Sequence, residues 1–200
     1  RVPPPPIQPP RPAHPASTPR LARPHPSFPA RQSLAPPMHL SKPHGDVACL
    51  VINALTPPAG LFSGDEVDIS LHAGPGANAL LTSPGASRVH RARDGEPAAL
   101  VRQKFSVASG AWLEVCPEML IVQAGARYEQ QTHIEVAAGG GLLYFDCLAP
   151  GRVAMGEVFA FEHALCRTRL CVDGELLAVE NCRLSPDDGS LHPLRVHHAH

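Results

Sequence analysis

Three stretches of this sequence read alike: Ile69–Leu81 (ISLHAGPGANALL), Phe105–Val115 (FSVASGAWLEV) and Ile134–Phe145 (IEVAAGGGLLYF). In each, apolar and polar residues alternate, a Gly-containing turn follows, and a second apolar segment leaves the turn. Alternation with period two marks a strand whose two faces meet different surroundings. The turn glycines Gly76, Gly110 and Gly140 fall 34 and 30 residues apart. Glycine reaches the positive-φ geometry that tight strand connections require. A supersecondary unit recurring every ~20–50 residues predicts stacked β layers, each covering its neighbour's apolar face. The expected fold is therefore mainly β, with β-helix- or solenoid-like stacked strands and little helix. An ordinary β-sandwich with three similar hairpins is the competing arrangement.

Other segments extend the β pattern. VACLVINAL (Val47–Leu55) is an apolar run of the length of a buried strand, and EVDISLH (Glu66–His72) places Val67, Ile69 and Leu71 on one face. Lys104–Val107, Ala111–Val115, Met119–Val122 and His133–Val136 each fit a short strand. Helical periodicity is weak, and only Arg152–Leu170 admits a short helix.

Composition changes near residue 46. Residues 1–45 hold fifteen of the 24 prolines, including Pro3–Pro6 in a row. Proline lacks a backbone donor and fixes φ, so this segment cannot build ladders. It is expected to be disordered or polyproline-like, either a solvated tail or a ligand for a proline-binding module. The expected organisation is a Pro-rich segment over 1–45, a β domain over 46–190 and a His-rich flexible tail over 191–200.

Charge and cysteine usage exclude several classes. A formal net charge of -1 produces no field that favours nucleic acid or an anionic membrane. No apolar run approaches the ~18 residues that cross a bilayer as a helix. The N-terminal prolines do not read as a secretory signal, although the chain begins with Arg1 rather than Met. Cys49, Cys116, Cys147, Cys166, Cys171 and Cys182 form no CxxC pair and sit mostly in apolar surroundings. They read as buried free thiols in a reducing compartment, hence a cytoplasmic expectation. GxSxG, HExxH and phosphate-loop motifs are absent, and Gly139–Gly141 is followed by neither a helix nor the lysine of a phosphate loop.

Four blocks carry a family resemblance. They are Thr56–Leu71 (TPPAGLFSGDEVDISL), Gly74–Ala92 (GPGANALLTSPGASRVHRA), Gly110–Arg127 (GAWLEVCPEMLIVQAGAR) and Gly151–Phe159 (GRVAMGEVF). In order and spacing they resemble the UreD (UreH) family of urease accessory proteins, over roughly residues 35–185. The resemblance implies a β-helix-like fold with a small helical portion and no catalytic activity. It implies partnership with UreF, UreG and apo-urease, a homodimer within that complex being compatible with it. It further implies a scaffold that assists nickel insertion, with nickel in transit rather than firmly bound.

Against that pattern, three carboxylates are candidates for lining a nickel passage. Asp65 precedes a strand, where it could instead cap the turn. Asp146 lies inside the apolar run LLYFDCL, where a carboxylate needs a partner or a water-filled channel. Glu157 follows Gly156 in the last block, with surface charge as its alternative role. The sequence departs from the family at Ser63, Met119 and Ala124, the last two standing where carboxylates are usual, while Glu118 adds one beside them. Relative to the family the C-terminus is short and the N-terminus is replaced by prolines, which suggests a truncated or divergent copy. Arg88, His90, Arg91 and Arg93 form a basic cluster, expected to be a solvated strand edge or a contact with an acidic partner. His192, His197, His198 and His200 could capture nickel transiently, but their spacing fits no fixed site. Two other classes remain open: a β-solenoid carbohydrate-active enzyme, which needs a converging carboxylate pair, and an interaction module without a metal role.

Overall fold

Short strands separated by glycine turns dominate the chain in the computed structural model, which describes residues 39–41, 44–45, 49–55 and 59–186. Most of the Pro-rich segment and the His-rich tail lie outside the described residues. Along the chain the strands are β1 (His39–Leu40), β2 (His44–Gly45), β3 (Leu50–Leu55), β4 (Glu66–Ala73), β5 (Asn78–Thr82), β6 (Ser87–Val89) and β7 (Ala99–Val107). They continue as β8 (Trp112–Cys116), β9 (Leu120–Val122), β10 (Arg127–Val136), β11 (Gly141–Tyr144), β12 (Leu148–Ala149), β13 (His163–Val172) and β14 (Glu175–Leu184). The fold is mainly β, as the alternation predicts.

Three sheets collect these strands. One runs β14-β13-β10-β7-β4, the second β1-β3-β5-β8-β11 with β2 also on β3, and the third β12-β9-β6. From β4 to β13, successive strands visit the three sheets in rotation, and strands one round apart pair in parallel. Glu66 lies opposite Leu100, Leu100 opposite Glu129, and Glu129 opposite Leu165. Asn78 lies opposite Trp112, which lies opposite Gly141. The recurrence seen in sequence is thus the length of one round.

Two turns follow the glycine argument and one corrects it. Gly76 and Gly110 both have φ +70, but in the third turn Gly139, at φ +76, is the left-handed residue rather than Gly140. Gly140 is needed for closeness instead: a Cβ there would sit 2.8 Å from the Ala108 carbonyl oxygen. The winding ends at Asp173 and Gly174, both with positive φ (53 and 82). That pair forms a tight turn whose twist matches an antiparallel hairpin, so β14 folds back on β13.

The short helix admitted over Arg152–Leu170 does not form. That stretch holds a single 3-10 turn, Val153–Met155, and then β13. Ten residues of β13 pair with β10 without a break. Ala164, Cys166, Thr168, Leu170 and Val172 recur at period two along it. Backbone pairing with a preformed neighbour outweighs any weak local helical tendency.

Inward-facing side chains form two apolar clusters. One contains Val67, Val89, Val101, Tyr128 and Phe161; the other contains Leu81, Phe105, Leu113, Val115 and Ile134. Leu113 is fully buried, whereas Leu143, on the neighbouring strand, is 47% exposed. Leu113→Ala should cost about 3 kcal/mol in urea unfolding, by lost transfer energy and a residual cavity. Leu143→Ala should cost less than about 1 kcal/mol.

Candidate functional site

Polar residues interrupt the inward faces of the long sheet at one level. On β10 the inward positions run Tyr128, Gln130, Thr132, Ile134 and Val136, all buried, so Gln130 and Thr132 fall between apolar neighbours. Gln103 on β7 lies beside Thr132, and Cys166 and Thr168 on β13 lie beside Gln130 and Thr132. A buried amide must find hydrogen-bond partners or cost several kcal/mol. They come from within this row and from the end of β11.

Tyr128 Oη donates to Gln130 Oε1 at 2.6 Å. Gln130 Nε2 donates to Asp146 Oδ2 at 2.5 Å and reaches Thr132 Oγ1 and Tyr144 Oη at 3.3 Å each. Tyr144 Oη lies 3.2 Å from Asp146 Oδ2 and 3.3 Å from Gln103 Oε1. Burial, then the Asp146 charge, holds the Tyr144 hydroxyl well above its ordinary range, so it stays a neutral donor. Burial does the same to Tyr128. Asp146 lies just past β11 and is exposed rather than inside a strand core. Its carboxyl is held by the neutral donors Gln130 and Tyr144, with no basic residue among its hydrogen-bond partners within the described residues.

Two cavities meet at this cluster. The larger, about 350 Å³, is bordered by Tyr144, Cys166, Thr168, Glu180 and Cys182. The smaller, about 100 Å³, is bordered by Leu81, Gln103, Phe105, Val115 and Glu118. Leu120, Tyr128, Gln130 and Asp146 line both. A carboxylate and several neutral oxygens bordering two adjoining cavities can take a hydrated or partly dehydrated cation without binding it tightly.

The other two candidate carboxylates sit apart from these cavities. Asp65 Oδ2 accepts the Phe62 N–H at 2.8 Å, and the Asp65 N–H donates to the Phe62 carbonyl at 3.1 Å. It closes the turn ahead of β4. Glu157 accepts from Arg152 Nε at 2.9 Å, from Arg152 Nη2, and from the Ala124 N–H at 3.2 Å. Arg152 holds the Glu157 carboxyl below the usual carboxylate range. Ala124 thus contributes a backbone donor, and Met119 is 43% exposed. No hydrogen bond or ion pair joins any two of Asp65, Asp146 and Glu157. Among the described residues no three His, Cys, Asp or Glu side chains form a group suited to holding a metal ion.

In the basic cluster, His90 stacks on Phe62 at 4.6 Å and Arg93 pairs with Glu96 at 3.6 Å. All six cysteines lack disulfides, but only Cys171 is fully buried. Asp146 was legible in sequence; Gln103, Gln130, Thr132 and Tyr144 were not singled out. Their signal is an amide or hydroxyl at an inward position of an alternating strand, as in RYEQQTHIEV, where the pattern calls for an apolar residue.

Gln130→Leu should cost about 2 kcal/mol, because Tyr128 Oη is left buried without its acceptor. Tyr128→Phe added to it should cost little more in the same urea titration. Glu157 gives a pH signature. Its folded pKa lies below the unfolded value of about 4.3, so the stabilisation from its partners is full above that value and is lost as pH falls through the folded pKa. The stability difference between wild type and Glu157→Gln should therefore shrink on acidification, measured by urea titrations from about pH 7 to pH 3.

The profile of the UreD urease accessory protein family matches residues 20–200. A urease accessory protein UreD from Opitutus terrae is 39% identical over 159 residues, covering 78% of this chain and 58% of the relative. That from Klebsiella aerogenes is 39% identical over 137 residues, covering 68% and 49%. That from Dechloromonas aromatica is 41% identical over 117 residues, covering 58% and 40%. The chain thus spans about half the length of the curated relatives it matches.

Proposed function

Because this chain belongs to the UreD urease accessory protein family, we propose that it is a non-catalytic scaffold that assists nickel insertion into apo-urease through a complex with UreF and UreG. The observation that supports a nickel route is the position of Asp146 where two cavities meet. Nickel is cargo here. It enters the larger cavity, exchanges part of its hydration for the Asp146 carboxylate and neighbouring neutral oxygens, and leaves through the smaller one, which Glu118 borders. The residues lining both cavities offer one carboxylate and no imidazole or thiol, so that junction releases a borderline cation readily, while Glu180, Cys166 and Cys182 stand farther along the larger cavity and Glu118 along the smaller. The 3.3 Å hydrogen bond from Gln130 Nε2 to Tyr144 Oη is the one a passing ion displaces.

We read the winding as β-helical. Rotation of successive strands through three sheets, with parallel pairing from round to round, supports it. A β domain over residues 46–190 is the corresponding unit. Such a body offers a long lateral surface for UreF, UreG and urease while leaving its interior for the ion. The accessory complex is cytoplasmic in this reading, and it admits a homodimer. No helix among the described residues is long and apolar enough to cross a membrane.

The test is restoration of urease activity in a strain that lacks its own UreD, with co-elution of UreF and UreG as a parallel readout. Asp146→Asn keeps the shape and hydrogen-bonding reach of the side chain but removes its charge. It should lower nickel-dependent activation by about tenfold or more while co-elution persists. Asp65→Ala, which alters a turn away from the cavities, separates the candidates. Loss of activation with Asp65→Ala and full activation with Asp146→Asn would move the route away from the interior and overturn this proposal.

A further inference from the structure

Two of the six thiols face each other across adjacent strands. Cys166 on β13 and Cys182 on β14 are direct partners in the antiparallel register, so their side chains leave the same face of the sheet. Both border the larger cavity, and neither is in a disulfide. Cys171, the other thiol on β13, lies opposite Leu176 instead. We propose that Cys166 and Cys182 form a thiol–disulfide exchange site, oxidised to a β13–β14 bridge by low-molecular-weight disulfides such as oxidised glutathione.

Geometry favours this pair. Directly opposed residues in antiparallel strands have Cα atoms about 4.5–5.5 Å apart, within the ~4.4–6.8 Å that a disulfide spans. Their Cβ atoms, about 4.5–5.5 Å apart, lie at or beyond the ~3.5–4.5 Å of a relaxed bridge. The strands must draw together slightly to close it. A bridge closed under strain is more easily reduced, which suits reversible exchange better than permanent stapling. β14 is the end strand of its sheet and mostly exposed, so it can shift without disturbing the ladder from β4 to β13.

The order of steps follows from accessibility. Burial pushes the Cys166 thiol up to about 12 and also raises Cys182, with Glu180 adding to the second. Cys182 is the less deeply buried and reacts first. Its thiolate attacks one sulfur of oxidised glutathione, the S–S bond breaks, and one glutathione leaves as a thiolate. Cys166 then gives its proton to solvent and attacks the Cys182 sulfur, releasing the second glutathione. Two protein thiols are oxidised and one glutathione disulfide is reduced to two thiols. Closure removes two soft donors from the wall of the cavity that contains Asp146. The chemistry does not depend on whether nickel uses that cavity.

The experiment uses the full chain, fully reduced and then exposed to oxidised glutathione under native conditions. After acid quenching and alkylation, digestion with trypsin and a glutamate-specific protease separates Cys171 from Cys182. The expected product is a Cys166–Cys182 linked peptide that disappears on adding excess reduced glutathione. Cys166→Ser should instead retain glutathione on Cys182. Alkylated, unlinked Cys166 and Cys182 in wild-type protein, or a dominant bridge between other cysteines, would overturn the proposal whatever the variant does.

Discussion

Parallel backbone pairing between one round of the chain and the next is the interaction on which the rest depends. β7 is held by β4 on one side and β10 on the other, and β10 in turn by β13. β7, β10 and β13 therefore satisfy their N–H and C=O groups on both edges, as buried backbone must. The same register fixes which side chains meet inside. Val67 meets Val101 and Leu71 meets Phe105, while Ile134 packs beside Phe105. A slip of one residue would turn every inward side chain outward. The core is thus specified by the ladder, and the ladder by the similar lengths of successive rounds.

Within that frame the polar row is an exception with a structural consequence. Gln103, Gln130 and Thr132 occupy inward positions that separate the two apolar clusters. Filling those positions with leucine and valine would join the clusters and close the space between them. Instead the amides and hydroxyls satisfy one another and hold Asp146, and open volume remains on either side. Half-satisfied networks are costly, so the multiple contacts of Gln130 matter more than any one of them. The polar cluster, the two cavities and the thiol pair are neighbours because one sheet places Gln130 beside Cys166, and Cys166 opposite Cys182.

Outside the interior, polar residues serve turns and joints. Asp65 closes a turn on Phe62, and Glu157 ties Arg152 to the backbone of Ala124. Glu118 stands at the edge of the smaller cavity, while Met119 beside it is exposed. β14 carries Leu176, Leu177 and Val179 in exposed positions alongside Glu175, Glu180 and Arg183. Charged residues on an end strand discourage indiscriminate edge pairing.

Much of the architecture was legible because period-two alternation and turn glycines are local signals. They located the strands around Ile69, Phe105, Leu113 and Ile134, and their recurrence implied layered β structure. The Asp173–Gly174 turn carries an equally local signal, being a standard hairpin dipeptide with both residues at positive φ. The four sequence blocks also carried the family. The positive-φ glycine of the third turn is Gly139 because the Gly140 N–H closes on the Ala137 carbonyl, which makes Gly139 the third residue of that turn, as Gly76 and Gly110 are in theirs. Other features were decided by the tertiary structure alone. Asp146 is exposed just beyond the end of β11, and that it meets a buried amide depends on Gln130, sixteen residues away in sequence. Cys166 and Cys182 oppose each other only through a register that no local pattern encodes. Local sequence determines strand and turn because those follow from single-residue conformational preference. Long-range registration determines the site, because cavities and polar partners exist only once separate rounds of the chain are stacked.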